Sequence, residues 1–186
     1  MTLCLVREAS CGYEWGPCPK IQLRSTISPA QYAGKWYEHA RDKTVWYETG
    51  DCVRAKYTLA DDNSLEVRNS QRKPGNTLPN DDSKAFGKAT CPKGTGECYV
   101  SFFWLDKNDY SIVDTDYNSY TVVRGCESYL FGLFRQEVFW IMVRDPNAGT
   151  AVTDVAKAVL QARAPYYDQA TNHFNPYRGG SCPYNP

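Results

Sequence analysis

The chain has 186 residues, 42% of them hydrophobic and 23% charged, and its 21 Lys and Arg residues balance its 21 Asp and Glu residues. Because the basic residues are scattered and form no basic face, we predict no nucleic-acid partner. The sequence contains no apolar run of about 18 residues and no lipidation motif, so we predict that it does not span a membrane.

Eight cysteines stand out along the chain. Their number is even, their spacing is dispersed, no C-x-x-C pair occurs, and only two histidines accompany them. This pattern favours four disulfides over a zinc site and predicts an oxidising, extracellular compartment. The opening MTLCLVREASCGYEW lacks an apolar core followed by a small-residue cleavage site. We therefore expect a mature secreted chain from which the signal peptide is already absent.

Apolar and polar residues alternate over residues 34–144, which is typical of β-strands. CVRAKYTL and LEVRNSQ form the clearest pair, joined by the turn ADDNS, with Asn69 and Gln71 on the same face as the apolar residues. CYVSFFWL and YSIVDTD form another pair, and SYTVVRG and EVFWIMVR form a third. With residues 35–41 first and KAFGKAT before Cys91, we predict eight strands in sequence, each joined to the next by a short connection.

The pattern changes after DPNAG, where Thr150 is predicted to cap a helix that ends at Pro165. The helix carries apolar residues at helical spacing, namely Val152, Val155, Ala156, Val159 and Leu160. Eight sequential strands and one helix predict an all-β fold, an eight-stranded antiparallel up-and-down β-barrel with the C-terminal helix packed on its outside. Closing the sheet removes its edges, and eight strands enclose a lumen for one small ligand.

Three motifs lie at the ends of the predicted strands: Gly34-x-Trp36 after a short helical turn, TDY at Thr115–Tyr117, and Arg144 after the last strand. In this order they resemble the conserved motifs of the lipocalin family, in particular the branch of apolipoprotein D, the bilin-binding proteins and the crustacyanins. The segments CPKIQLRSTISPAQYAGKWYE, GDCVRAKYTL, TDYNSYTVVRGC, WIMVRDPN and SCP extend the resemblance over residues 18–183.

The resemblance implies structural roles for Trp36, which closes the bottom of the barrel, and for Arg144, which packs across the indole through a cation–π contact. We interpret Glu38, which is inward but next to Trp36, as part of this closing network rather than as a ligand contact. Residues 1–17 depart from the family. We therefore predict an N-terminal extension at 1–17 and a lipocalin domain at 18–186.

The resemblance also implies two disulfides that tie segments outside the barrel to its wall: Cys18–Cys126 and Cys52–Cys182. The other four cysteines pair most simply as Cys91–Cys98 and Cys4–Cys11. The first of these pairs bounds CPKGTGEC, a Pro/Gly loop between two strands that brings its ends together. The second is a default, and the alternative is a free thiol at one of its two positions.

Strand parity places ten residues on the inward face: Tyr57, Asn69, Gln71, Ser101, Phe103, Tyr110, Ile112, Val138, Trp140 and Met142. A dry core would leave the two amides unsatisfied, so the barrel is predicted to be hollow. Tyr32 is added to these candidate ligand contacts because it matches a pocket position of apolipoprotein D-like lipocalins. Trp46 is also added, since it lies in a loop at the barrel mouth. The alternative is that the aromatic residues merely fill a small barrel.

No catalytic constellation assembles, because His39 has outward parity on the surface and His173 lies in the tail. We therefore predict a secreted transport protein, not an enzyme, that holds a small hydrophobic molecule and requires no cofactor or metal. The family branch includes binders of tetrapyrroles, carotenoids, steroids, retinoids and fatty acids. An aromatic lumen with amide groups and no evident inward arginine favours a planar or extended pigment, a biliverdin-like bilin or a carotenoid.

Two other functions stay open at this point. The protein could act through its surface, as a protein-interaction or subunit-forming module or as a homo-oligomer, with the lumen incidental. It could also be a thiol-dependent isomerase, since one lipocalin activity depends on a free thiol inside the barrel. A thiol at Cys4 or Cys11 would lie far from the lumen in sequence.

Overall fold

The computed structural model describes residues 12–73, 82–103, 107–182 and 184. Within these ranges the strands are β1 (Tyr13–Trp15), β2 (Gly34–Asp42), β3 (Asp51–Leu59), β4 (Leu65–Arg72), β5 (Asp82–Thr90), β6 (Glu97–Ser101), β7 (Asn108–Thr115), β8 (Tyr120–Tyr129), β9 (Phe134–Val143) and β10 (His173–Phe174). The helices are α1 (Pro29–Tyr32), α2 (Thr150–Arg163) and α3 (Gln169–Asn172), and a 3₁₀ turn covers Leu130–Gly132.

Strands β2 to β9 form a closed antiparallel barrel in which each strand pairs with its neighbours in sequence. The barrel closes where β9 pairs with β2, through Tyr37 opposite Val143 and Glu38 opposite Met142. The predicted all-β class and eight-stranded barrel are confirmed. β1 and β10 lie outside this set and pair with β9 and β2. Sequence periodicity did not predict them, because segments of three and two residues carry no readable period.

Helix α2 packs on the outside of β7, β8 and β9, as predicted. Its residues Ala156 and Leu160 are fully buried and share an apolar cluster with Phe139 and Ile141 of β9. The outward face of β9 is therefore buried beneath α2, while its inward face lines the barrel interior. This second buried face explains why EVFWIMVR contains so few polar residues.

The start of α2 and its buried face differ from the prediction. Gly149, and not Thr150, is the N-cap residue, with an extended backbone, and Thr150 is the first helical residue. Val155 is 50% exposed, whereas Thr153 is buried. Each residue turns an α-helix by about 100°, so the buried stripe centred on Ala156 includes Thr153 and leaves Val155 outside.

The closed end of the barrel is a plug of tryptophan and arginine. Trp36 is fully buried and donates its indole N–H to the carbonyl of Tyr32 at 3.0 Å. The guanidinium of Arg144 lies 3.7 Å from the centroid of this ring and donates to the carbonyl of Lys35 at 3.0 Å. Gly34 has a φ of 109°, and a Cβ there would lie 2.8 Å from Arg144 Nη1. Glycine is therefore required where the chain passes beneath the plug.

The described residues contain three disulfides: Cys18–Cys126, Cys52–Cys182 and Cys91–Cys98. The first two join cysteines 108 and 130 residues apart, and so fasten the N-terminal segment and the C-terminal tail to the barrel. The third closes the short connection between β5 and β6. The predicted pair Cys4–Cys11 lies outside the described residues.

Candidate functional site

The barrel contains a cavity of about 590 Å³, open at the end opposite Trp36. Side chains from all eight barrel strands form its wall, and the β2–β3 loop at residues 43–50 forms part of its rim. Most of the lining residues are aliphatic or aromatic, with a small number of polar groups between them. This size and this composition are typical of sites that bind small molecules.

Nine of the twelve predicted ligand contacts line this cavity: Trp46, Tyr57, Asn69, Gln71, Phe103, Tyr110, Val138, Trp140 and Met142. Seven of them belong to the strand walls. Trp46 and Phe103 instead lie in connections at the mouth, where they are 77% and 72% exposed. The structure thus places most of the predicted ligand contacts around one cavity.

Three predicted contacts do not line the cavity. In β6 the buried residues are Cys98 and Val100, so Ser101 shares the outward parity of Tyr99 and its inward assignment is wrong by one residue. Ile112 is buried in the packed core below the cavity. Tyr32 is fully buried in α1 and supports the floor from beneath without reaching the open space.

The floor of the cavity is a chain of hydrogen-bonded hydroxyl groups. Tyr57 and Tyr110 face the cavity, and their oxygens lie 2.7 Å apart. Tyr110 also bonds Tyr32 at 2.8 Å, and Tyr32 bonds Thr121 at 3.3 Å. Burial raises the pKa of Tyr32 to about 12 and raises the pKa values of Tyr57 and Tyr110 well above their usual range. The floor is therefore a neutral, polar surface at physiological pH.

The amide of Gln71 holds the rim of the cavity in place. Its Oε1 accepts from the backbone N–H of Gly50 at 2.7 Å, and its Nε2 donates to the carbonyl of Tyr47 at 3.0 Å. Asn69, two residues earlier on β4, has an Oδ1 that is buried with no hydrogen-bond partner among the described residues. Of these two amides, Asn69 offers the acceptor that a ligand can satisfy.

Glu38 belongs to the cavity wall and not to the closing network around Trp36, so the prediction for it is wrong. Its carboxyl accepts from Arg41 Nη1 at 2.6 Å and lies near the carboxyl of Glu48 in the rim loop. Burial, and secondarily the charge of Glu48, raise the pKa of Glu38 well above its usual range. Trp140 donates its indole N–H to Glu48 Oε2 at 3.0 Å.

Two strand bulges lie next to charged residues of the cavity wall. The register of β2 shifts between Glu38 and Ala40, and that of β3 shifts between Asp51 and Arg54. Simple alternation fails beyond a bulge because one extra residue changes which face the next side chain occupies. Arg54 lies beyond the bulge of β3, where it pairs with Ser70 in regular register and keeps its predicted outward parity. It is nevertheless among the residues that line the cavity, contrary to the expectation of no evident inward arginine.

Groups suited to catalysis do not converge here. Within the described ranges there is no cluster of three or more metal-ligating side chains, and the six cysteines are paired in disulfides. His39 is only half-exposed, and Arg178 Nη2 donates to its Nδ1 at 3.1 Å outside the barrel. In the part of the chain that the structure describes, no helix is long and apolar enough to cross a membrane.

A closed eight-stranded barrel with an apolar cavity open at one end defines a binding protein for a small hydrophobic molecule. Residues 27–175 match the family model described as a lipocalin-like domain. The chain therefore belongs to the lipocalin family, and the resemblance seen in its sequence motifs is confirmed.

Similar proteins agree with this assignment. Apolipoprotein D of Rattus norvegicus is 30% identical over 149 residues, which cover 80% of this chain and 77% of the relative. The Lazarillo protein of Schistocerca americana is 31% identical over 149 residues, or 78% of this chain and 69% of the relative. The solved structure of insecticyanin from Manduca sexta has the same fold, with a TM-score of 0.76 at 18% identity, covering 91% of this chain and 90% of that one.

Proposed function

We propose that this lipocalin is an extracellular carrier that holds one small hydrophobic molecule without transforming it. We further propose that the molecule is a conjugated pigment, a biliverdin-like bilin or a carotenoid. The observation that carries the proposal is the 590 Å³ cavity, whose wall presents the rings of Tyr57, Tyr110 and Trp140. Burial of apolar ligand surface contributes about 25 cal/mol per Å², and aromatic rings pack well on planar conjugated groups. The disulfides support an oxidising compartment.

The direct test uses protein purified from its native source. We expect a visible absorption band that stays with the protein through gel filtration, and a native mass that exceeds the denatured mass by one ligand. A bound molecule without visible absorption would contradict the pigment but support the carrier. Equal native and denatured masses, together with no binding of bilin or carotenoid on titration, would contradict both.

A variant with a filled lumen locates the binding site. Val138→Trp places a large ring in the cavity wall and is expected to abolish the quenching of tryptophan fluorescence by biliverdin. Val155→Trp makes the same substitution on the exposed face of α2 and should leave binding unchanged. Melting temperatures of both variants establish that they fold. Unchanged quenching in folded Val138→Trp would place the ligand outside the barrel.

A surface-mediated function is the second candidate, and one feature favours it. The turn between β8 and β9 presents Leu130 and Phe131 to solvent, with left-handed φ values of 48° and 59°. Exposed apolar side chains held in a fixed turn are suited to contact with another protein surface. We propose that this turn joins two copies of the chain. Sedimentation velocity should show a dimer that Phe131→Ser dissociates, and a monomeric wild-type protein at all concentrations would contradict the dimer.

A further inference from the structure

The charged groups of the cavity are strongly unbalanced. Among the described lining residues, four carry carboxyl groups and one carries a guanidinium group: Glu38, Glu48, Asp109, Glu127 and Arg54. The chain as a whole has a net charge of zero. The excess of acid is therefore local to the cavity and its mouth, and at the buried Glu38 charge interactions are stronger than at the surface.

Two of these carboxyls form a pair inside the barrel. Glu38 on β2 is 3% exposed, and Glu48 in the rim loop lies close enough for its charge to raise the pKa of the Glu38 carboxyl. A hydrogen bond between two carboxyl groups requires one proton, because two carboxylates have no donor to share. The pair is therefore suited to hold one positive charge, such as a proton, between its two carboxyl groups.

Arg41 neutralises only one member of this pair. Its Nη1 donates to Glu38, and its Nη2 donates to the carbonyl of Gly50 at 3.2 Å. Its guanidinium lies 4.9 Å from the ring centroid of Phe174 in β10, outside the barrel. Arg41 lies opposite Trp140 in the β2–β9 pairing and so shares its face, but it does not line the cavity, whereas Glu38 and Glu48 do.

The uncharged surroundings of the pair also suit a nitrogen cation. Trp140 donates to Glu48 and contributes a ring to the cavity wall, and the electron-rich face of an indole attracts cations. The unpartnered Oδ1 of Asn69 is a further acceptor in the same cavity and requires a donor. Acceptors and aromatic rings together match an N–H-bearing cation, whereas a carboxylate ligand would face like charges.

We infer that the lumen binds a hydrophobic amine, with its ammonium group between the carboxyls of Glu38 and Glu48 beside Trp140 and its apolar part over the Tyr57–Tyr110 floor. The ligand class follows only if the lumen is the binding site proposed above, and it holds whether or not the ligand is coloured. An ammonium group that enters the pair replaces the shared proton, which leaves to solvent as the amine binds.

The proton exchange makes amine binding depend on pH. The charged groups around Glu38 are Arg41 on its own strand, Glu48 in the rim loop and Arg54 on β3, while β9 presents the uncharged Trp140 and Met142. Asp109 and Glu127 lie on β7 and β8. Because burial raises the pKa of Glu38 above the usual range of a carboxyl, amine affinity should rise as the pH increases beyond that usual range. The affinity for an uncharged ligand should stay constant.

Three probes of one shape test the inference by calorimetry: naphthylethylamine, naphthylethanol and naphthylacetate. We expect the amine to bind at least tenfold more tightly than the alcohol, and the acetate to bind most weakly. Glu48→Gln keeps an oxygen for the Trp140 N–H but removes the charge, so it should weaken the amine about tenfold and leave the alcohol unchanged. Glu38→Gln should do the same. Glu66→Gln, at an exposed position on β4, is the matched control.

The outcomes separate the two proposals. If the alcohol binds in the barrel but the amine binds no more tightly, or the acetate binds most tightly, the amine inference fails and the carrier remains. If Glu48→Gln weakens amine and alcohol equally, the residue acts on the shape of the rim, and the inference is also overturned. If none of the three probes binds, the amine inference fails, and the titration with bilin and carotenoid then decides whether the carrier fails as well.

Discussion

The guanidinium of Arg144 lies 3.7 Å from the centroid of the Trp36 ring, so the residue after the last barrel strand covers the start of the first. This contact closes one end of the barrel with buried aromatic and backbone groups. The other end is held by side-chain amides and carboxyls of the rim. We therefore expect the closed end to govern stability and the open end to govern ligand entry and release.

Truncation of Trp36 in the plug should lower the stability of the protein and leave its ligand affinity unchanged. Trp36→Ala removes a fully buried indole and is expected to lower the free energy of unfolding by about 3–5 kcal/mol. Urea unfolding measures this, with Trp15→Ala as the control because Trp15 is 76% exposed. Because Trp36 does not line the cavity, the folded fraction should keep its ligand affinity. A variant that melts normally but loses ligand would make Trp36 a binding residue.

The long-range disulfides should contribute more than the short one. Removal of Cys52–Cys182 opens a loop of 130 residues and is expected to cost about 5 kcal/mol in the chain-entropy relation. Removal of Cys91–Cys98, seven residues apart, should cost about 2.5 kcal/mol. Paired alanine variants compared by urea unfolding give the difference. Equal losses would show that native packing, and not loop closure, sets the contribution of each bond.

The barrel was predictable because its strands obey a period of two and follow one another with short connections. Arg144 and Trp36 were predictable because a family motif marks both residues. The N-cap at Gly149 could not be predicted, because Thr150 has the better capping side chain and glycine has none. Gly149 is the N-cap because its backbone is extended while that of Thr150 is already helical.

The acidic part of the cavity could not be predicted from strand parity. Glu38 has the correct parity, but its contact with Glu48 depends on how the rim loop folds inward. Arg54 has outward parity opposite Ser70 in β3 and is still among the lining residues, which strand alternation does not predict. Ser101 was misplaced because CYVSFFWL carries apolar residues on both faces, so its alternation does not show that Cys98 and Val100 form the inward face. The fold of the rim loop therefore decides which charged groups meet at the cavity, and strand alternation does not show it.

The Gln71 amide should control the rate of ligand release. Gln71→Leu breaks the bonds to Gly50 and Tyr47, each worth about 0.5–1.5 kcal/mol net. We expect ligand dissociation to become roughly tenfold faster, since each 1.4 kcal/mol corresponds to a factor of ten. Stopped-flow displacement measures the rate, with exposed Gln31→Leu at the closed end as the control. An unchanged rate would mean that the rim loop does not gate the cavity.

Two histidines outside the barrel should make the protein sensitive to mild acid. Burial lowers the pKa values of His39 and His173 to about 4, below the usual 6.5 of histidine. The unfolded chain therefore binds protons more tightly, so stability is complete above about pH 6.5 and is lost as pH falls toward 4. Thermal melts from pH 7 to pH 4.5 should show this loss. The double variant His39→Gln, His173→Gln should reduce the slope, and an unchanged slope would assign it to other groups.

Asn69 should discriminate between ligands by their polar groups. Its Oδ1 is buried and unpartnered among the described residues, so a ligand donor gains a hydrogen bond there, while an apolar ligand leaves the amide unsatisfied. Asn69→Leu should weaken a ligand with a polar terminus about tenfold, or about 1.4 kcal/mol. An apolar probe of equal length should bind equally or more tightly. Quenching of Trp140 fluorescence reports both titrations, with Gln161→Leu on α2 as the control. An equal response of the two ligands would show that the Asn69 amide does not contact the ligand.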